Sequence, residues 1–138
     1  MANDFVVDNS IVMAWFFDDE ATTFTDSVQD LLVYNTAFVP SIWSLEVVNV
    51  LIVAERKKRI STADSTHFLA LVSQLPIKVE QTEPAIAFHN ILFLARKYQI
   101  SSYDASYIEL AIRKGLPVAS LDKAIVGAAK DLNIMLEI

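Results

Sequence analysis

The chain has no cysteine, so neither disulfides nor thiolate metal ligands can form, and its core must hold by burial alone. It has only two glycines and four prolines in 138 residues, and it contains no repeat, linker or low-complexity segment. Positive charge is in deficit. Eleven Lys and Arg face seventeen Asp and Glu, giving a net charge of -6 and a pI near 4.7. Affinity for phosphate backbones comes from accumulated positive charge, so strong nonspecific binding of nucleic acid by the bulk surface is not expected. Long hydrophobic runs are missing too: stretches such as residues 47–54 are interrupted well before the roughly 20 apolar residues that a bilayer-spanning helix needs. The opening Met1-Ala2-Asn3-Asp4 shows no basic n-region of a secretory signal, and a cytoplasmic location is expected.

What the chain does have is apolar residues and clustered acids. Hydrophobic residues make up 54% of it, with mean hydropathy +0.39, which is rich for this size and predicts that a partner covers part of the surface. One domain, 1–138, is large enough to bury a core of its own. The basic residues gather at 55–59, 96–97 and 113–114, each at the end of a helical segment, where cations suit the helix dipole.

Periodicity predicts alternating short strands and helices. Strands are expected at Phe5 to Asp8, Ala37 to Val39 (ended by Pro40), Ile77 to Glu80, Val118 to Ser120 and Ile134 to Ile138. Helices are expected at Ile11 to Phe17, broken by Asp18-Asp19-Glu20, then at Thr23 to Tyr34, Ser41 to Arg59 and Thr62 to Leu75, the last stopped by Pro76. Three more follow: Glu83 to Tyr98 with Pro84 in its first turn, Tyr103 to Lys114 closed by Gly115 with Pro117 beyond, and Asp122 to Asp131. Such alternation makes an α/β fold with a mostly parallel central sheet flanked by helices.

Ligands of such sheets bind beyond the carboxyl ends of the strands, near the point where strand order reverses. Asp8 stands at the end of the apolar run Phe5-Val6-Val7, where an ionised carboxylate is costly without a partner. Asp122 repeats the arrangement after Val118-Ala119-Ser120-Leu121, although an isolated Asp at a helix start is ordinarily a cap. Asp104 has a similar structural reading, because Ser101 to Asp104 has the form of a capping box. Glu46 is the one carboxylate in an almost wholly apolar stretch, Trp43 to Leu51; it faces solvent or, if buried, needs a cation or other partner. One side of a parallel sheet can gather these four acids into one pocket. Four carboxylates repel, and a hard divalent cation resolves the repulsion; oxygen ligands without Cys or a paired His motif favour Mg²⁺ or Mn²⁺ over zinc. His67 and His89 lie on separate amphipathic helices and read as surface or edge residues.

The order of V-V-D-N-S, E-V-V-N-V-L, Y-D-A-S-Y and A-S-L-D-K resembles the PIN-domain ribonucleases, in particular the VapC-type toxins of toxin–antitoxin pairs. The resemblance spans essentially the whole chain and implies a PIN-like three-layer α/β/α sandwich. It also implies that the four acidic positions of the family fall on Asp8, Glu46, Asp104 and Asp122, with Ser10 and Ser120 as hydrogen-bonding neighbours. The implied activity is hydrolysis of RNA by one or two Mg²⁺ or Mn²⁺ ions that activate water and stabilise the developing charge. In this reading Asp8, Asp104 and Asp122 bind metal, and Glu46 binds a second metal or orients water. A cognate antitoxin and a homodimer are the implied partners. The acidic composition is the departure, since it leaves RNA affinity to a local basic rim or to metal. Two other classes remain: a phospho-accepting receiver-like domain, which wants adjacent acids where this chain has Asp8-Asn9, and a non-catalytic binding module of the same fold. An Asp-nucleophile phosphotransferase is weaker still, because D-N-S lacks the second acid of a D-x-D pattern.

Overall fold

A computed structural model describes residues 3–138; the Met1-Ala2 part of the opening segment lies outside them. The chain begins with β1 (Phe5–Val7), whose three apolar residues are wholly buried, as a strand covered on both faces requires. Helix α1 (Asn9–Phe16) follows directly, capped by Asp8. The acidic run Asp18–Glu20 is a single 3₁₀ turn, which separates α1 from α2 (Thr23–Leu31). A reciprocal capping box between Thr22 and Thr25 opens α2. Next come β2 (Ala37–Pro40), α3 (Trp43–Arg56), α4 (Thr62–Val72) and β3 (Ile77–Glu80). Helices α5 (Pro84–Ile86) and α6 (Leu92–Tyr98) are joined through a π-helical turn at Ala87–Ile91. Then follow α7 (Ser102–Lys114), β4 (Val118–Ala119) and α8 (Lys123–Asp131).

The four strands are all parallel, in the order β3-β2-β1-β4. The chain moves outward from β1 through β2 to β3 and then returns to the other side of β1, so strand order reverses between β1 and β4. Asp8 and Ser120 are the first residues beyond the carboxyl ends of those two strands. Helix α7 lies across β1, β2 and β4 and is buried continuously from Ala105 to Ala111; α6 and α8 pack beside it. Helices α1, α2 and α3 pack together as a second group, so the sheet is flanked by helices as an α/β/α sandwich.

Several boundaries differ from the expectation. The long helix begins at Trp43 rather than Ser41 and ends at Arg56, where Lys58 turns left-handed (φ 57°) and Arg59 N–H closes back on the Ala54 carbonyl at 2.9 Å. Thr23 to Tyr34 ends at Leu31 and continues as a turn. Ile134 to Ile138 is not a strand. Only Met135 forms a bridge, to Val118, because β4 is two residues long and offers no longer ladder. The basic pairs Arg96-Lys97 and Arg113-Lys114 sit in the last turns of α6 and α7, whereas of the first cluster only Arg56 lies in the last turn of α3 and Lys57 to Arg59 lie at or beyond its cap. Among the described residues no helix is long and apolar enough to cross a membrane.

Candidate active site

Asp8 is 5% exposed, and its Oδ2 takes three hydrogen bonds: Ser10 N–H at 3.3 Å, Ser10 Oγ at 2.6 Å and Ser120 Oγ at 2.8 Å. Both hydroxyls also work as acceptors. Ser10 Oγ accepts from Leu121 N–H at 2.9 Å, and Ser120 Oγ accepts from Asp122 N–H at 2.9 Å. The two serines therefore tie the loop after β4 to the carboxylate after β1, across the reversal in strand order. Asp122 caps α8 through Oδ1, which receives Ala124 N–H at 2.9 Å and Ile125 N–H at 3.2 Å. The cap expected from sequence is present, and it occupies one oxygen of the carboxylate.

Asp104 lies in the first turn of α7, where Ser101 Oγ accepts its backbone N–H at 3.0 Å. The reciprocal half of the capping box, which Asp64 makes to the Ser61 N–H, is not made here. So the Asp104 carboxylate is not used to close its helix. Glu46, in the first turn of α3, is half-buried rather than solvent-facing, and Tyr107 Oη donates a hydrogen bond of 2.5 Å to its Oε1. Sequence reasoning assigned no role to Tyr107. The signal was the second tyrosine of Y-D-A-S-Y, three residues beyond Asp104 and hence on the same side of the helix.

The like charges of the acids are felt at three of them, Asp8, Glu46 and Asp104. Burial raises the Asp8 carboxyl above its ordinary value; hydrogen bonds from Ser10 and Ser120 oppose the shift and the Asp122 charge adds to it. Burial also raises Glu46, against the Tyr107 hydrogen bond and with the like charges of Asp8, Asp104 and Asp122. Asp104 is raised by burial, then by Asp122 and Asp8. Among the described residues no Lys, Arg or His forms an ion pair with any of the four. His67 and His89 are exposed, on α4 and in the π-helical turn.

The donor set is oxygen only, as a hard divalent cation prefers. Asp8 Oδ1 and Asp122 Oδ2 take no hydrogen bond from the described residues, so each acid keeps an oxygen for a ligand. As the side chains stand, no three of the described His, Asp and Glu residues converge closely enough to chelate an ion. Mg²⁺ does not require that: it keeps several waters and is commonly held through one or two carboxylates with substrate phosphate. The residues fit such an ion. One cleft, lined by His89 of the π-helical turn, Phe93 of α6, and Glu109 and Arg113 of α7, contains none of the four acids.

Comparison with known families places a PIN domain over residues 5–131. The chain belongs to the PIN-domain family. Two solved structures share its fold: PAE2754 from Pyrobaculum aerophilum and VapC20 (Rv2549c) of Mycobacterium tuberculosis, a sarcin-ricin loop cleaving toxin. The first is 24% identical with a TM-score of 0.70, over 94% of this chain and 89% of that one. The second is 14% identical with a TM-score of 0.65, over 97% and 98%. At these identities the likeness speaks for the fold alone. Comparison with curated proteins finds no sequence match. In this PIN domain Asp8, Asp104 and Asp122, one near each of β1, α7 and β4, stand around the reversal point of the sheet, and α3 supplies Glu46.

Proposed function

We propose that the protein is a metal-dependent endoribonuclease that hydrolyses RNA phosphodiester bonds at Asp8, Glu46, Asp104 and Asp122. The observation that carries this reading is a set of four mutually repelling carboxylates, partly buried and without an ion-pair partner among the described residues, at the strand-order reversal of a PIN domain. Asp8, Asp104 and Asp122 would hold Mg²⁺ or Mn²⁺, and Glu46 would hold a second ion or orient the attacking water. When bound, the ion supplies charge stabilisation for the transferred phosphate and lowers the pKa of water. Ser10 and Ser120 occupy Asp8 Oδ2 and thereby direct Oδ1 to the ligand side. No side chain needs to act as a covalent nucleophile.

The likeness in fold to a toxin that cleaves the sarcin-ricin loop supports the finer reading: the toxin of a VapBC-like type II toxin–antitoxin pair, acting on RNA in the cytoplasm as a single-domain protein. The exposed apolar side chains Leu45, Val48, Leu69, Phe88 and Phe93 provide surface for an antitoxin segment and for a homodimer. RNA affinity in so acidic a chain then depends on metal and on the lysines and arginines at the helix ends.

The test is cleavage of total RNA by purified protein, with the new ends sequenced. Cutting in Mg²⁺ or Mn²⁺ that is lost in EDTA and lost in Asp8→Asn is expected; equal cutting in chelator, or full activity of the variant, contradicts the reading.

A further inference from the structure

We propose that Tyr107 is a positioning residue, whose phenol holds the Glu46 carboxylate in the geometry the metal site uses. This rests on the metal-nuclease reading for its purpose, but its evidence is separate. Tyr107 is wholly buried in α7, and its hydroxyl donates to Glu46 Oε1 across 61 residues of sequence. Two helices that each carry an acid of the site, α3 with Glu46 and α7 with Asp104, are joined by this hydrogen bond.

Packing alone requires only the ring. A buried tyrosine hydroxyl must find a partner, and here the partner is an acid of the site rather than a main-chain carbonyl. Glu46 needs such a restraint more than the aspartates do. Its carboxylate stands one methylene further from the backbone, and its like-charged neighbours Asp8, Asp104 and Asp122 repel it. The hydrogen bond pins one oxygen and leaves Oε2 without a donor among the described residues. Helix α7 thus contributes twice, with Asp104 as a member of the cluster and, one turn on, with the group that orients a carboxylate from another helix.

The test uses the full chain as wild type, Tyr107→Phe, Glu46→Ala and the double variant. Mn²⁺ affinity is measured by calorimetry, RNA cleavage is measured at saturating Mn²⁺, and folding is checked by thermal unfolding in EDTA. Tyr107→Phe is expected to weaken Mn²⁺ binding about 10–100-fold, as loss of a bond to a ligand side chain does, and to lower kcat with little change in KM. In the Glu46→Ala background the same substitution should change neither quantity further. Unaltered Mn²⁺ affinity in a folded Tyr107→Phe, or an equal loss whether or not Glu46 is present, would overturn the proposal and leave Tyr107 as a core residue. Glu46→Asp withdraws the carboxylate from the phenol while keeping the charge and the core. If Tyr107→Phe does not fold, Glu46→Asp decides: weakening within the same range supports the proposal and wild-type affinity overturns it. A wild type that binds Mn²⁺ in this Tyr107-dependent way but cuts no RNA removes the nuclease reading and leaves the positioning role standing; a wild type that binds no Mn²⁺ removes both.

Discussion

Ser120 is a small perturbation with a calculable cost. The side chain is 2% exposed, and its Oγ donates to Asp8 Oδ2 at 2.8 Å while accepting Asp122 N–H at 2.9 Å. Ser120→Ala removes both bonds. A hydrogen bond to an ionised group contributes about 1.5–3 kcal/mol, and an orphaned buried donor costs about 1–3 kcal/mol. Asp8 keeps the Ser10 bonds, and Asp122 is only half-buried, so the costs add incompletely. We expect a loss of roughly 2–4 kcal/mol at neutral pH without metal, which for this chain length is a fall in Tm of roughly 6–12 °C. The cost should depend on pH. Burial raises the Asp8 carboxyl while Ser10 and Ser120 pull it back, so removing Ser120 raises the folded-state pKa further. Between the two folded values the native variant carries more bound proton than native wild type, and it therefore loses stability relative to wild type as pH rises through that interval. Below it Asp8 is neutral in both proteins, and the missing hydrogen bond was worth roughly half as much. Thermal unfolding of both proteins in EDTA, across a pH series from acid to neutral, reads the difference. A penalty that is the same at every pH, or one below about 0.5 kcal/mol at neutral pH, refutes the account of Ser120.

Asp104→Asn should abolish RNA cleavage yet stabilise the metal-free protein. An acid raised in the folded state contributes stability that is present below its ordinary value, 3.8, and lost as pH rises through the folded value. Asn escapes that loss, so in EDTA at neutral pH it should be more stable than wild type by on the order of 0.5–1 kcal/mol after solvent screening, with a higher Tm, the two converging in acid, while the Mn²⁺-induced shift shrinks. A neutral or lower Tm with an undiminished Mn²⁺ shift would return Asp104 to a purely local role. Asp122→Asn keeps the cap on Ala124 and Ile125 and removes the charge, whereas Asp122→Ala removes both. Thermal unfolding in EDTA should find Asn close to wild type and Ala lower by about 1 kcal/mol, with cleavage lost in both.

The α/β alternation was legible because strong local signals marked it. Phe5-Val6-Val7 reads as a doubly covered strand, Pro84 opens its helix, and Gly115 takes the left-handed conformation (φ 66°) that ends α7. The four acids stand out in the sequence, each against an apolar or capping background, and their joint role is the proposal made above. What escaped depends on geometry without a local signal. The π-helical turn at Ala87–Ile91 changes hydrogen-bond register within an unbroken helical pattern. The failure of Ile134 to Ile138 to form a strand depends on how short β4 is. A capping-box pattern predicts two bonds at Ser101 and Asp104, and the chain makes one, so only the three-dimensional arrangement frees Asp104 from its cap. The Glu46–Tyr107 pair joins residues 61 positions apart, beyond any periodicity.

Asp8, Glu46, Asp104 and Asp122 are proposed to hold a divalent cation together. Crystals grown with Mn²⁺ and measured at the manganese absorption edge test it without reference to substrate or activity. The expected result is an anomalous peak among these four carboxylates in wild type and its loss in Asp8→Asn crystals grown under the same conditions. Wild-type crystals with no peak among the four acids, or Asp8→Asn crystals that retain it at full height, would contradict the account.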